Sequence, residues 1–66
     1  MGGEFRALPV PEGLDGMRVD AAIAKLFGVS RAVAAEMAAQ GDVLIDGAVA
    51  QKSDRVIPGA LIEATL

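Results

Sequence analysis

The chain contains no cysteine, no histidine, no tryptophan and no tyrosine. Without cysteine and histidine, a small fold has neither a disulfide nor the usual ligands of a structural metal site to stabilise it. The same absences remove the thiolate nucleophile and the imidazole base of many enzymes. The aromatic residues are Phe5 and Phe27. Because Phe27 is expected in the core, stacking on bases cannot be the main means of holding a nucleic acid.

The chain is also short and has no long apolar segment. Its 66 residues allow one domain, and a domain of this size buries only about 60% of its unfolded surface. No apolar stretch approaches the roughly 20 residues needed to span a bilayer. Glu4 and Arg6 interrupt the N-terminus, where a signal peptide would carry its apolar region. We therefore expect a cytoplasmic protein without a membrane partner, and a monomer, since nothing indicates an obligate dimer.

Positive charge is scarce. Six lysines and arginines face nine acidic residues, which gives a net charge of −3. Nucleic-acid-binding proteins usually carry a clustered basic patch. Any such function therefore depends on where the six cations lie in the fold, because the total charge does not favour it.

Two helices are predicted between residues 17 and 40. The first, residues 17–27, has Asp15 as a candidate cap and ends at Gly28. Its apolar residues recur at the helical period: Val19, Ile23, Leu26 and Phe27. The second begins at Ser30, whose hydroxyl can cap it, and ends before Gly41. Its buried side should carry Val33 and Met37. Its many alanines favour helix and close packing against the first helix.

The rest of the chain is predicted to be extended. Residues 5–11, with Pro9 and Pro11, form an extended arm or an edge strand. After Gly41 the apolar period changes to two, and Asp46-Gly47 predicts a type I′ turn between two short strands. A polar loop, residues 51–55, precedes a short extended piece at residues 56–57 and a turn at residues 58–59. In the last strand, residues 61–66, one face carries Ile62, Ala64 and Leu66.

The residues offer no arrangement for catalysis or metal binding. Ser30 and Ser53 have no basic partner, and capping explains Ser30 better. Asp42, Asp46 and Asp54 do not follow the spacing of a calcium loop, and turn positions explain them. We therefore expect no catalytic residue, no metal and no cofactor in this chain.

Five cations are candidates for contacting nucleic-acid phosphates: Arg18, Lys25, Arg31, Lys52 and Arg55. Arg18 opens the first helix and Arg31 opens the second, where the N–H groups of a helix N-terminus favour an anion. If the helices cross closely, the helical cations share one face, and the loop cations extend it. The alternative is an ordinary solvated surface, in which Arg18 pairs with Asp15 or Asp20.

The order of short motifs resembles the S4 RNA-binding domain, whose pattern is R-L-D-x-x-L-A, S-R, G-x-V-x-V-N-G and V-x-x-G-D-x-I. The matching segments here are Arg18-Val19-Asp20, Ile23-Ala24, Val29-Ser30-Arg31, the run from Gly41 to Gly47, the run from Val56 to Gly59, and Ile62-Glu63. The resemblance covers residues 17–66 without gaps. It implies an α+β, S4-like (alpha-L) fold, with two packed N-terminal helices against a small antiparallel sheet with a β-hairpin. Residues 1–16 would then be an extended N-terminal arm.

Residues 10–20 also resemble the segment that leads into this domain in RluA-type pseudouridine synthases. That resemblance implies a non-catalytic RNA-binding module whose parent isomerises uridine in structured RNA, most often ribosomal RNA, with a catalytic domain beyond this chain. In the family the helix pair and the neighbouring loop contact RNA. The resemblance therefore implies that Arg18 and Arg31 are the best candidates for RNA contacts, and that Lys25, Lys52 and Arg55 are secondary candidates.

The chain departs from the family pattern at several positions. Asp46 stands where asparagine is usual, Ala60 replaces an aspartate, and the second helix carries alanines and Glu36 where relatives have basic residues. These changes make the surface less positive, and three alternatives stay open. They are a docking domain with little RNA affinity, an S4 domain of an rRNA methyltransferase, and a free-standing S4 protein.

Overall fold

A computed structural model describes residues 4–66 as an α+β fold, in which two helices and a four-stranded antiparallel sheet share one core. The helices are α1 (Val19–Phe27) and α2 (Arg31–Ala39), and a short 3-10 helix spans Glu12–Leu14. The strands are β1 (Phe5–Pro9), β2 (Val43–Ile45), β3 (Ala48–Val49) and β4 (Leu61–Thr65), in the spatial order β1-β4-β2-β3. The predicted fold class is confirmed.

The start of α1 differs from the prediction. Asp15 does not cap the helix; it ends the preceding 3-10 helix, where its N–H donates to the carbonyl of Glu12 at 3.2 Å. The N-cap position belongs to Arg18, whose side chain makes no capping hydrogen bond. Instead, the backbone carbonyls of residues 52 and 54 accept hydrogen bonds from the first N–H groups of the helix. A pattern in the local sequence cannot indicate a contact with so distant a loop. At the other end, Gly28 adopts the predicted left-handed conformation, with φ of 72°.

The buried side of α2 is also displaced from the predicted one. Ser30 caps the helix as expected, since its hydroxyl accepts a hydrogen bond from the N–H of Val33 at 3.1 Å. The side chain of Val33, however, is 45% exposed, and the buried positions are Ala34, Met37 and Ala38. Two of these three buried side chains are alanines, which lets α2 pack closely against α1 across the three-residue link of residues 28–30.

The sheet follows the predicted pattern. Asp46 and Gly47 both have positive φ, 50° and 85°, as a type I′ turn between β2 and β3 requires. The carboxylate of Asp46 accepts a hydrogen bond from the N–H of Leu61 at 2.9 Å, which ties the turn to the start of β4. In β4, Ile62 and Ala64 are buried on one face.

The predicted N-terminal arm contributes to the same sheet. Residues 5–9 form the edge strand β1, which pairs with β4 from Phe5↔Thr65 to Pro9↔Leu61. The domain boundary after residue 16 stays a prediction, and residues 1–3 of the arm lie outside the described part of the chain. Residues 56–57 form no strand. Instead, Val56 is buried and its N–H donates to the carbonyl of Met17 at 2.9 Å.

One core unites these elements. Its largest fully buried side chains come from α1, β2, β4 and the loop before β4: Ile23, Ile62, Val19, Val43 and Val56. Among residues 4–66, no helix is long and apolar enough to cross a membrane.

Candidate functional site

The N-terminal end of α1 is covered by the loop that follows the β-hairpin. The N–H of Val19 donates to the carbonyl of Asp54 at 2.7 Å, and the N–H of Asp20 donates to the carbonyl of Lys52 at 3.3 Å. These carbonyls satisfy amides that a helix start leaves without intrahelical partners. As a result, residues 51–55 lie against the residues that open the helix.

Arg55 and Arg18 are brought side by side by this contact. Their backbones form an isolated antiparallel bridge. The guanidinium of Arg55 donates from Nη1 to the carbonyl of Gly16 at 2.8 Å, which holds the side chain over the chain segment entering α1. Two arginines that are 37 positions apart in the sequence thus become neighbours.

A buried carboxylate joins the two helices at the same end. Asp20 is only 4% exposed. Its Oδ2 accepts a hydrogen bond from Nη2 of Arg18 at 3.2 Å, and its Oδ1 accepts one from Nη2 of Arg31 at 3.4 Å. The N–H of Ala21 also donates to Oδ1, at 2.8 Å. The guanidinium groups of both arginines are therefore held at one point between α1 and α2.

Arg31 is exposed to solvent, whereas Arg18 is half-buried and its Nε is buried without a hydrogen-bond partner among residues 4–66. Their side chains are 41% exposed for Arg18 and 59% exposed for Arg31, whereas that of Asp20 is 6% exposed. Each guanidinium uses one Nη2 on the carboxylate and has further N–H donors. Asp20 cancels one of the two positive charges, so this group of three carries a net charge of +1 that faces outward.

The pKa of Asp20 reflects this environment. Burial alone would raise it, because a desolvated carboxylate favours its neutral form. The hydrogen bond from Ala21 and the charges of Arg18 and Arg31 outweigh burial, so the pKa of Asp20 lies below its ordinary value. The carboxylate is therefore ionised at neutral pH.

We call this region the α1 N-terminal surface. It consists of four cations and two carboxylates: Arg18, Arg31, Lys52, Arg55, Asp20 and Asp54. Its formal charge is +2, and the two other cations and seven other carboxylates leave −5 on the rest of the chain. The exposed Asp15 borders it. The fold thus brings four of the six cations together around the start of α1 in an acidic molecule.

Four of the five predicted cations lie on this surface, and Lys25 does not. Lys25 lies in the last turn of α1, seven residues from Arg18 and therefore about 10 Å farther along the helix axis. Among residues 4–66, no carboxylate bridges Lys25 to Arg18 or Arg31. Sequence reasoning allowed Asp20 as a partner of Arg18 but missed its contact with Arg31. A carboxylate directly after Val19, at the start of the apolar stripe, was the available signal.

The carboxylates do not form a metal site. Across residues 4–66, no group of three or more histidine, cysteine or acidic side chains could hold a metal ion. The described arrangement is suited to binding an anion by guanidinium groups that hydrogen bonds hold at defined positions.

Comparisons with known proteins identify one matching family and two similar proteins. Residues 17–62 match the family model described as the S4 domain. Two relatives, from Mycobacterium bovis and Mycobacterium tuberculosis, are each described as an uncharacterized RNA pseudouridine synthase. Each is 51% identical to this chain over 61 residues, which is 92% of the chain. The chain spans 20% of the length of each relative.

Proposed function

The chain belongs to the S4 domain family, and from this we propose that it is an RNA-binding module that contacts structured RNA through the α1 N-terminal surface. The observation that carries the proposal is the clustering of four of the six cations at that surface, with Lys52 placed there by its backbone contact with α1. Phosphate contacts of this kind position an RNA and recognise its shape without reading its bases.

The roles of the cations follow from their contacts. Arg18 and Arg31 present guanidinium groups whose orientation is set by Asp20, and a planar guanidinium can bind a phosphate through two N–H groups. Arg55 presents a third guanidinium from the loop. The exposed Lys52 belongs to the same loop and can add an ammonium group. Lys25 remains a secondary candidate, because it meets only an RNA long enough to continue along α1.

The parent activity is proposed from the relatives. Both carry the name RNA pseudouridine synthase and extend well beyond the segment they share with this chain. We propose that this module is non-catalytic and helps to position ribosomal RNA for a pseudouridine synthase domain elsewhere in a longer protein. The lack of histidine and cysteine in the chain agrees with a role in binding, since the usual general base and thiolate are missing.

The binding should be weak and sensitive to salt. With about three to five phosphate contacts, the logarithm of the association constant should fall with the logarithm of salt concentration at a slope of roughly −2 to −4. The isolated domain should bind with a dissociation constant on the order of 10⁻⁴ to 10⁻⁵ M. The negative charge on the rest of the chain keeps the affinity low.

The test is a titration of the chain with ribosomal RNA fragments at several salt concentrations, using wild type and the double variant Arg31→Ala, Arg55→Ala, in which Arg18 still pairs with the buried Asp20. We expect the double variant to lose most of the salt-dependent binding while it keeps a folded spectrum. Unchanged binding by the folded double variant would contradict the proposal. The same experiment with the longer protein tests whether the module contributes to substrate binding there.

A second candidate function is docking to a protein, and the outer face of the sheet favours it. On the face opposite Ile62 and Ala64, Phe5 is 60% exposed and Leu61 is 40% exposed. Val49, opposite Leu44 on the neighbouring strand, is 62% exposed. These three residues lie on one face of the sheet, and exposed apolar residues of this kind can contact a protein partner. A docking domain would show no salt-sensitive RNA binding in the titration above.

A further inference from the structure

A shallow groove lies beside the α1 N-terminal surface, between the β2–β3 hairpin and the loop of residues 51–55. Its volume is about 270 Å³. Four aliphatic residues and two charged residues line it: Ile45, Ala48, Val49, Ala50, Asp54 and Arg55. Because Arg55 belongs to the lining and also to the α1 N-terminal surface, the groove and that surface are continuous.

The hairpin wall of the groove is held in place from two directions. Ile45 pairs with Ala48 across the hairpin. The turn residue Asp46 exchanges two hydrogen bonds of 2.9 Å with Leu61, one through its N–H and one through its carboxylate. The hairpin is thereby fixed to β4, and its aliphatic side chains keep their positions relative to the sheet.

The loop wall is equally constrained. The carboxylate of Asp54 accepts a hydrogen bond from the N–H of Gln51 at 3.0 Å, and the N–H of Asp54 donates to the carbonyl of Gln51 at 3.0 Å. Arg55 is anchored to the carbonyl of Gly16. Both walls are therefore formed before any ligand binds, which lowers the entropic cost of binding.

The lining suits a flat ring with a polar edge. Ile45 and Ala48, which pair across the hairpin and share one face of it, offer aliphatic surface, and the guanidinium of Arg55 offers a plane on which an unstacked base can lie. Asp54 can accept a hydrogen bond from an exocyclic amino group such as N4 of cytosine. Pockets for drug-sized ligands measure about 300–1,000 Å³, so this smaller groove fits a single base better than a whole nucleotide cofactor.

We propose that the groove holds one unpaired nucleobase of the RNA whose phosphates contact the α1 N-terminal surface. This proposal rests on the proposed RNA-binding function and adds to it a preference for one kind of RNA structure. Phosphates alone give binding that does not distinguish one duplex from another. A base can enter the groove only where it has left the helical stack, so the module prefers RNA in which an unpaired nucleotide lies next to a duplex.

The experiment compares two RNA hairpins that differ only by one bulged cytidine, titrated into the ¹⁵N-labelled full chain at low salt and followed by NMR. Ala48→Leu fills the groove without changing charge, and Ala39→Leu makes the same change at an exposed position near the end of α2. Wild type and Ala39→Leu should bind the bulged hairpin about 5- to 30-fold more tightly than the paired one. Ala48→Leu should lose this preference and keep its affinity for the paired hairpin within about twofold.

The chemical shifts of the wild-type chain provide a second test of the groove, which needs no variant. The amides of Ile45 and Val49, which line the groove but do not belong to the α1 N-terminal surface, should shift with the bulged hairpin and much less with the paired one. Equal affinity of wild type for the two hairpins, or a preference that survives in folded Ala48→Leu, would overturn the groove proposal and leave phosphate binding intact. If wild type bound neither hairpin, the proposed RNA-binding function would fail together with it.

Discussion

Arg31, the first residue of α2, donates a hydrogen bond from Nη2 to Oδ1 of Asp20, in the first turn of α1, at 3.4 Å. This contact crosses between the helices and meets the bond that Arg18 makes to the other carboxylate oxygen. Asp20 therefore has two roles that oppose each other electrostatically. It orients two guanidinium groups, and it removes one unit of positive charge from the surface they form.

Replacing Asp20 with asparagine should destabilise the fold. The change keeps the shape but removes the charge that both arginines contact. Because the arginines are partly exposed, solvent screens the loss, and we expect the free energy of unfolding to fall by about 1–2 kcal/mol. Urea denaturation measures this. The control is Glu4→Gln, which neutralises a carboxylate in an exposed pair with Arg6 and should change stability by less than about 0.5 kcal/mol.

The same carboxylate should make stability depend on pH in the acid range. The pKa of Asp20 is lowered in the folded chain, so its contribution to stability is fully present above the unfolded pKa of about 3.9. That contribution is lost as the pH falls through the lower, folded pKa. Denaturation curves between neutral and acid pH should show a gap between wild type and Asp20→Asn that is constant above about pH 5 and shrinks below it. A gap that widens on acidification would contradict the assigned direction of the shift.

Arg31 and Arg6 provide a matched test of the proposed phosphate contacts. Each substitution to alanine removes one guanidinium, but Arg6 lies on the edge strand β1 and pairs with Glu4. Arg31→Ala should reduce the magnitude of the salt slope for RNA binding by about 1. Arg6→Ala should leave the slope unchanged, and equal effects of the two variants would argue for non-specific attraction in place of a defined surface.

The two lysines should likewise differ, although sequence reasoning ranks them equally. The backbone of Lys52 contacts the start of α1, whereas Lys25 lies in its last turn. Lys52→Ala should weaken binding to a short hairpin RNA about threefold or more, and Lys25→Ala by less than about twofold. Fluorescence anisotropy at low salt compares them. A larger effect of Lys25→Ala would indicate that the RNA contacts α1 nearer its C-terminal end.

Local patterns predicted the elements well. The Asp46-Gly47 turn, the Ser30 cap and the Gly28 helix stop all depend on the conformational preferences of one or two residues. The failures share a different cause. Asp15 does not cap α1 because distant carbonyls take that role, and Val33 is not buried because tertiary packing sets the rotation of α2.

The amino-acid sequence by itself determined which segments are helical, which are extended and where the chain turns, since these depend on neighbours along the chain. It also determined that positive charge is scarce and that the thiolate and imidazole of many enzymes are missing. Only the tertiary structure decided that the loop after the hairpin covers the start of α1. That single contact brings Lys52 and Arg55 beside Arg18. Side chains so far apart in the sequence form one surface only when backbone hydrogen bonds and a shared core hold their elements together.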